Sequence, residues 1–269
     1  MKIIDAHCHL DPESDRLNAE TRPYIQENRI TYTESGLLAE MKKSGVDHSL
    51  VISLTWKRNE FTRKLALRHP KKISAIATLY GLSNANTAQK YLERQLEDKT
   101  FRGIKFYLGY EKLDPLDKKW KKIYDLAEKY DLPVIFHTGD TLGSKALIKL
   151  SHPILLDELA VRYPRLKIVI AHFGNPWVLD AAEVVYKNPN VYADLSGLII
   201  GKQKPDKYLI DRLRGALAYC GWKKLMFGTD YPLVKLDAYL EFINMLGVPR
   251  KEHSNVFGKT AAKLFQLSV

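Results

Sequence analysis

His7 and His9 flank Cys8 at the end of the short apolar run Ile3–His9. In an extended segment alternate side chains face the same way, so two imidazoles at this spacing can share a small cation. The same parity places Asp5 one layer deeper, where a carboxylate can orient an imidazole from behind. Cys8 points to the opposite face, toward covering helices, as a small buried hydrophobe. Further polar residues close other apolar runs: His137 ends Val-Ile-Phe-His, His172 ends Ile-Val-Ile-Ala-His and Asp230 ends Met-Phe-Gly-Thr-Asp. Lys105 and Tyr107 share parity on the run Gly103–Leu108. Imidazole, carboxylate and amine are the groups that bind metals, move protons and hold anions. Trp56, Asp140, Asn175, Trp177, Ser196 and Tyr231 follow the same run ends and either line a pocket or pack loops. His48, His69, His152 and His253 lack this placement and are read as structural.

These residues need elements that bring their ends together. Eight apolar runs are present: Ile3–His9, His48–Leu54, Ile73–Tyr80, Gly103–Leu108, Val134–His137, Lys167–His172, Val191–Ser196 and Leu225–Gly228. They recur about every 30 residues, the length of a strand plus crossover helix. Amphipathic helices are expected between them: one capped by Thr33 and stopped by Gly45, one opened by Asp114-Pro115, one begun at Pro153 and one begun at Asp206. Eight such units imply an α/β fold, a (β/α)8 TIM barrel formed by one domain over residues 1–269, with active-site groups at the carboxyl ends of the strands. No Gly-x-Gly-x-x-Gly follows the first run, which removes the signature of a dinucleotide-binding sheet. The segment 10–32 lacks clear periodicity and leaves the carboxyl end of the first strand, so a lid is expected there.

Composition narrows the class. Hydrophobic residues are 45% and charged residues 27%, an ordinary globular balance. Two cysteines are too few for a disulfide framework. The start lacks an apolar signal core, and no apolar run approaches the roughly 20 residues that span a bilayer. A cytoplasmic protein with no membrane partner is expected. The net charge of +11 is dispersed over pairs such as Lys42-Lys43, Lys71-Lys72, Lys121-Lys122 and Lys223-Lys224. It reads as solvated lysine on helix faces rather than a nucleic-acid surface.

Ile-Asp-Ala-His-Cys-His, Gly-Ile-Lys, Phe-His, Ile-Ala-His-Phe-Gly and Phe-Gly-Thr-Asp-Tyr-Pro together resemble the amidohydrolase superfamily, across essentially the whole chain and in the right order. The match is nearest the amidohydrolase-related branch that includes aminocarboxymuconate semialdehyde decarboxylase and pyrone-dicarboxylate lactonase. The resemblance implies a TIM barrel with one divalent metal, often zinc, with manganese or another transition metal as alternatives. It implies His7, His9, His137 and Asp230 as ligands, and His172 as a catalytic or carbonyl-polarising histidine. A binuclear site bridged by a carboxylated Lys105 is the less favoured form. Thr260 stands where the family commonly has asparagine, which weakens inference about the packing of the last helix.

Hydrolysis of a small anionic lactone, ester or amide is the expected activity, with Asp230 and His172 catalytic. Lys105, Tyr107, Trp56, Asn175 and Tyr231 are the expected substrate contacts. Non-oxidative decarboxylation at the same site is the alternative. A metal-dependent deoxyribonuclease is disfavoured because Gly-Ile-Lys stands where those enzymes carry a glutamate. A non-catalytic polyanion-binding barrel is disfavoured by the metal constellation. The partner expected is a small-molecule substrate; a homo-oligomer is compatible with the sequence.

Overall fold

The computed structural model describes residues 2–11, 21–82 and 84–268. Short runs rich in Ile, Val and Ala form eight strands: β1 (Ile4–Cys8), β2 (His48–Ile52), β3 (Ile73–Thr78), β4 (Phe101–Phe106), β5 (Val134–Phe136), β6 (Ile168–Ile170), β7 (Val191–Asp194) and β8 (Leu225–Met226). They pair in sequence order, and each neighbouring pair is parallel. The end strands also meet: Ala6 N–H donates to the Phe227 carbonyl at 2.9 Å, and His9 N–H to the Tyr231 carbonyl at 2.7 Å. The sheet is therefore a TIM barrel, as the eight runs required. Closure leaves no edge strand with unpaired peptide groups.

Eleven α-helices are present among the described residues: α1 (Arg22–Asn28), α2 (Glu34–Ser44), α3 (Asn59–Arg68), α4 (Ala85–Leu96), α5 (Leu108–Glu111), α6 (Lys121–Lys129), α7 (Leu155–Arg162), α8 (Val178–Lys187), α9 (Lys207–Cys220), α10 (Leu236–Met245) and α11 (Thr260–Leu264). Local chemistry sets their ends. The Thr33 hydroxyl accepts from Gly36 N–H at 3.1 Å to start α2, and Gly45, at φ 75°, stops it in the left-handed region. Asp206 accepts from Leu209 N–H at 2.8 Å to start α9. The helix expected from Asp114-Pro115 starts later: Asp117 caps a 3-10 turn, Lys118–Trp120, that runs into α6. In the segment 10–32, residues 21–32 contain α1, a helix the sequence did not announce. The rest of that expected lid, residues 12–20, lies outside the described residues. No helix is long and apolar enough to cross a membrane.

Strand residues divide between two cores. Inside the barrel, Leu50, Ile52, Ile76, Ile135, Val169 and Met226 pack with Leu264 and Phe265 from the chain's end, which plug the amino-terminal mouth. Outside, the alternate residues Val51, Phe106, Phe136, Ile170 and Ala193 pack under the helices. Truncating one such fully buried leucine to alanine typically costs about 2–5 kcal/mol. β1 departs from simple alternation. Its register against β2 slips between Asp5 and Cys8, where three residue steps oppose two. Ile4 and Ala6 lie in the inner core, whereas Cys8 lies in the outer one. A bulge of this kind re-aims a side chain, and here it turns His7 inward immediately after inward-facing Ala6.

Candidate active site

The carboxyl ends of the strands gather His7, His9, Lys105, His137, His172, Asp194 and Asp230, each buried. Two backbone positions there are unusual. His172 has φ 59° and Asp230 φ 63°, both in the left-handed region that non-glycine residues rarely occupy. These turns hold the two side chains facing each other, with His172 Nδ1 and Asp230 Oδ2 4.0 Å apart. Gly197, at φ 62°, closes over them. A Cβ at that position would lie 2.8 Å from His172 Nδ1 and 3.2 Å from Asp230 Oδ2, so only glycine fits.

Two imidazoles have one nitrogen committed. His7 Nδ1 donates to Asp194 Oδ2 at 2.9 Å, and His9 Nδ1 donates to the Ile52 carbonyl at 2.9 Å. In the neutral rings this leaves both Nε2 atoms as acceptors. They face a third acceptor: Asp230 Oδ1 lies 3.2 Å from His9 Nε2 and 3.8 Å from His7 Nε2. Lys105 Nζ contacts His7 Nε2 from the barrel interior at 3.3 Å. Ligands about 2.05 Å from a tetrahedral ion stand roughly 3.3 Å apart, so the donor set fits a small divalent cation. His7, His9 and Asp230 form one group able to hold a metal ion, and His7, His172 and Asp194 form another.

Beside this group runs a relay. His137 Nε2 donates to the Asp140 carbonyl at 2.9 Å, and its Nδ1 meets His172 Nε2 at 3.1 Å. His172 Nδ1 meets Ser196 Oγ at 2.9 Å, and Ser196 Oγ also contacts Asp194 Oδ1. Acceptors close both ends of these four contacts, while two neutral imidazoles and a hydroxyl carry only three protons. A fourth proton can therefore be held along the chain.

Burial dominates the electrostatics. It draws His7 down to about 4, aided by Lys105 and opposed by Asp194. It draws His172 down to about 3 against the pull of Asp230, and His137 well below the usual range. Burial lowers Lys105 to about 8, opposed by Asp194 and Asp230. For Asp194 and Asp230 burial acts upward but is outweighed by the neighbouring imidazoles, so both stay ionised.

The expected site residues meet different fates. Asp5 does not orient an imidazole. Its carboxylate accepts from His7 N–H at 3.1 Å, Thr229 N–H at 3.0 Å and Thr229 Oγ1 at 2.7 Å, because the β1 bulge separates its side from that of His7. Burial raises its pKa to about 7. The residue that does orient His7 is Asp194, which the sequence reading missed. It ends an apolar run just as Asp230 does, and that signal could have found it. Lys105 lies inside the barrel, wholly buried, against the His7 ring rather than on the open cleft.

Two joined cavities, of about 450 and 580 Å³, flank the histidines and share Tyr110, His137, Leu142, His172, Asp230 and Leu233 in their walls. Tyr107 lines the larger cavity, and its hydroxyl is buried without a hydrogen-bond partner. Asn175 and Asp140 line the smaller. Trp56 and Tyr231 line neither: Trp56 packs edge-on against Tyr91, and buried Tyr231 reaches the Thr31 carbonyl at 3.4 Å. Trp177 packs against His152 with the rings tilted by 43°. Arg58 in the larger cavity lies in the turn after β2, two residues past Trp56, and was passed over there; Arg212 in the smaller carried no sequence signal, because it sits on a helix away from a strand end.

Fold and site thus define an α/β-barrel enzyme with a buried His/Asp group able to hold a metal ion at its catalytic mouth. The chain belongs to the amidohydrolase family, whose model matches residues 4–267. L-fucono-1,5-lactonase of Burkholderia ambifaria is 28% identical over 254 residues, 88% of this chain and 82% of that protein. Gamma-resorcylate decarboxylase of Rhizobium radiobacter is 23% identical, over 82% of this chain and 78% of that one. Among solved structures, an uncharacterized TIM-barrel protein of Bordetella bronchiseptica superposes with a TM-score of 0.80 at 21% identity, covering 99% of each chain.

Proposed function

We propose that the chain is a one-domain, metal-dependent hydrolase that opens a small anionic lactone, ester or amide. The observation that carries this reading is the meeting of His7 Nε2, His9 Nε2 and Asp230 Oδ1 around one point, with both Nδ1 atoms already engaged. Two acceptors 3.2 Å apart repel unless a proton or a cation lies between them. His7, His9 and Asp230 would hold the ion. His137 would join them only by giving up its contact with His172. Nitrogen and carboxylate donors suit zinc, with manganese as the alternative. One ion is favoured over two, since both Asp194 oxygens already accept hydrogen bonds from His7, His172 and Ser196.

When bound, such an ion supplies Lewis acidity, polarising a carbonyl and acidifying water. The protein's own groups do the rest. Asp230, ionised and flanking the site, takes the proton of the attacking water through Oδ2 and returns it to the leaving oxygen or nitrogen. His172, neutral at pH 7, steadies the charge growing on the carbonyl oxygen with the Nε2–H that it otherwise gives to His137 Nδ1. The Tyr107 hydroxyl, unpaired in the cavity wall, contacts substrate. The described part of the expected lid, residues 21–32, would cover the mouth: Thr21 borders the larger cavity, and Asn28 Nδ2 donates to the Leu233 carbonyl at 3.4 Å.

Similarity to the decarboxylase keeps one second reading, loss of carbon dioxide from an aromatic acid at the same residues. Incubation with a lactone panel that includes L-fucono-1,5-lactone, and in parallel with gamma-resorcylate, separates them by product. Ring opening with uptake of one water, abolished by a chelator, is expected. Carbon dioxide release without net hydration would replace the hydrolase reading with the lyase, and turnover undiminished by chelation would sink both.

A further inference from the structure

The smaller cavity ends against α9, where Arg212 is half-buried in its wall. Arg212 Nη2 donates to Asn175 Oδ1 at 3.0 Å, and the guanidinium carbon lies 5.8 Å from the centre of the Tyr208 ring. Its Nε is buried and has no hydrogen-bond partner. A neutral amide oxygen and an aromatic face position a guanidinium without cancelling its charge. The carboxylates in the same wall, Asp140 and Asp206, are exposed, and each engages backbone N–H groups: Thr141 for Asp140, Leu209 for Asp206. By contrast, Arg58, in the larger cavity, has Asp11 3.6 Å from its Nε. The two cavities meet at His172 and Asp230, so a molecule reacting there can extend one arm toward Arg212.

We propose that Arg212 is the specificity-determining anchor of the site, gripping a carboxylate on the substrate that lies away from the reacting carbon, with Asn175 and Tyr208 as its positioning residues. The substrate class is therefore a carboxylate-bearing lactone, ester or amide rather than a neutral one. This rests on the hydrolase reading for the reaction but not for the binding. A buried unsatisfied guanidinium N–H is the costliest kind of donor to leave unpaired, and a planar carboxylate matches its fork with two parallel hydrogen bonds. Lys105 cannot fill this role from inside the barrel.

Calorimetric binding to the full chain, metal-loaded and metal-stripped, tests it with dicarboxylates from glutarate to benzene-1,4-dicarboxylate, each set against its diamide. Wild type should prefer at least one diacid over its diamide by roughly ten- to a hundredfold, the size of a charged hydrogen-bonded contact. In the metal-stripped protein Arg212→Met should erase that preference. Arg212→Lys, which keeps the charge and disturbs packing less, should retain only part of it. An unaltered preference in either variant, or none in wild type for any pair, overturns the proposal. Metal content measured on the same samples keeps the two readings apart: a protein that takes up no ion when offered zinc or manganese yet still prefers diacids refutes the hydrolase and leaves the anchor standing.

Discussion

The two ends of the barrel bury the same residue type under opposite conditions. At the amino-terminal end, His48 opens β2 with Nε2 at 2.9 Å from Ser74 Oγ and Nδ1 at 3.4 Å from the Lys71 carbonyl. Every polar atom of that ring has a partner within the protein. At the carboxyl end, His9 faces an ionised carboxylate with its remaining nitrogen, an arrangement that needs a proton or a cation between the two atoms. Packing alone accounts for one end of the barrel, whereas the other presents a His/Asp group able to hold a metal ion. An imidazole marks a functional site when its partners leave a lone pair turned toward another acceptor, not simply when it is buried.

Breaking the catalytic end should have the largest effect. Asp230→Asn removes the charge that draws the cation and the base that takes the proton, so lactone hydrolysis should vanish; retention of even a tenth of the rate would argue against both roles. His172→Gln should next lower kcat by about 10²–10³-fold with metal retained, as for loss of one group that stabilises developing charge. If KM rises instead and kcat holds, His172 binds substrate rather than its transition state. Asp194→Asn frees His7 to adopt the wrong tautomer and should weaken metal affinity by roughly 10–100-fold, read by competition with a chelator. An unchanged affinity would mean that Asp194 serves only the relay.

Altering the opposite end should leave catalysis alone and change stability. Burial holds the His48 pKa at about 4, while in the unfolded chain it returns to 6.5. Between these values the unfolded state binds more protons, so stability present above pH 6.5 is lost as the pH falls toward 4. The linked contribution is on the order of 3 kcal/mol. In His48→Gln, urea unfolding at pH 7 and 4.5 should show a smaller pH difference than wild type, with normal kcat/KM. An identical pH difference would mean that other buried groups, such as His7 or His172, dominate the acid limb.

Much of this contrast was legible from residue order. The runs that ended in His137, His172 and Asp230 placed those groups on one rim, because parallel strands must all present their carboxyl ends to the same face. Thr33 and Gly45 fixed α2 through local hydrogen bonding alone. The role given to Asp5 failed because a bulge is a property of two paired strands and cannot be read from one. The same slip explains how inward-facing Ala6 and His7 can be neighbours. Arg212 was invisible for a related reason: on the sequence it is one more charged residue on an amphipathic helix, and only the loop carrying Asn175 turns it into a cavity wall. Helix α1 itself buries only one apolar residue, Ile25, too little to show a period.

Elemental analysis of the purified chain bears most directly on whether the carboxyl end is built around a cation. Wild type should carry about one divalent ion per chain, and His9→Asn and Asp230→Asn should carry almost none while keeping the wild-type circular dichroism. A wild-type protein that binds no ion when dialysed against zinc or manganese, or folded variants that retain full occupancy, would contradict the proposed centre of His7, His9 and Asp230.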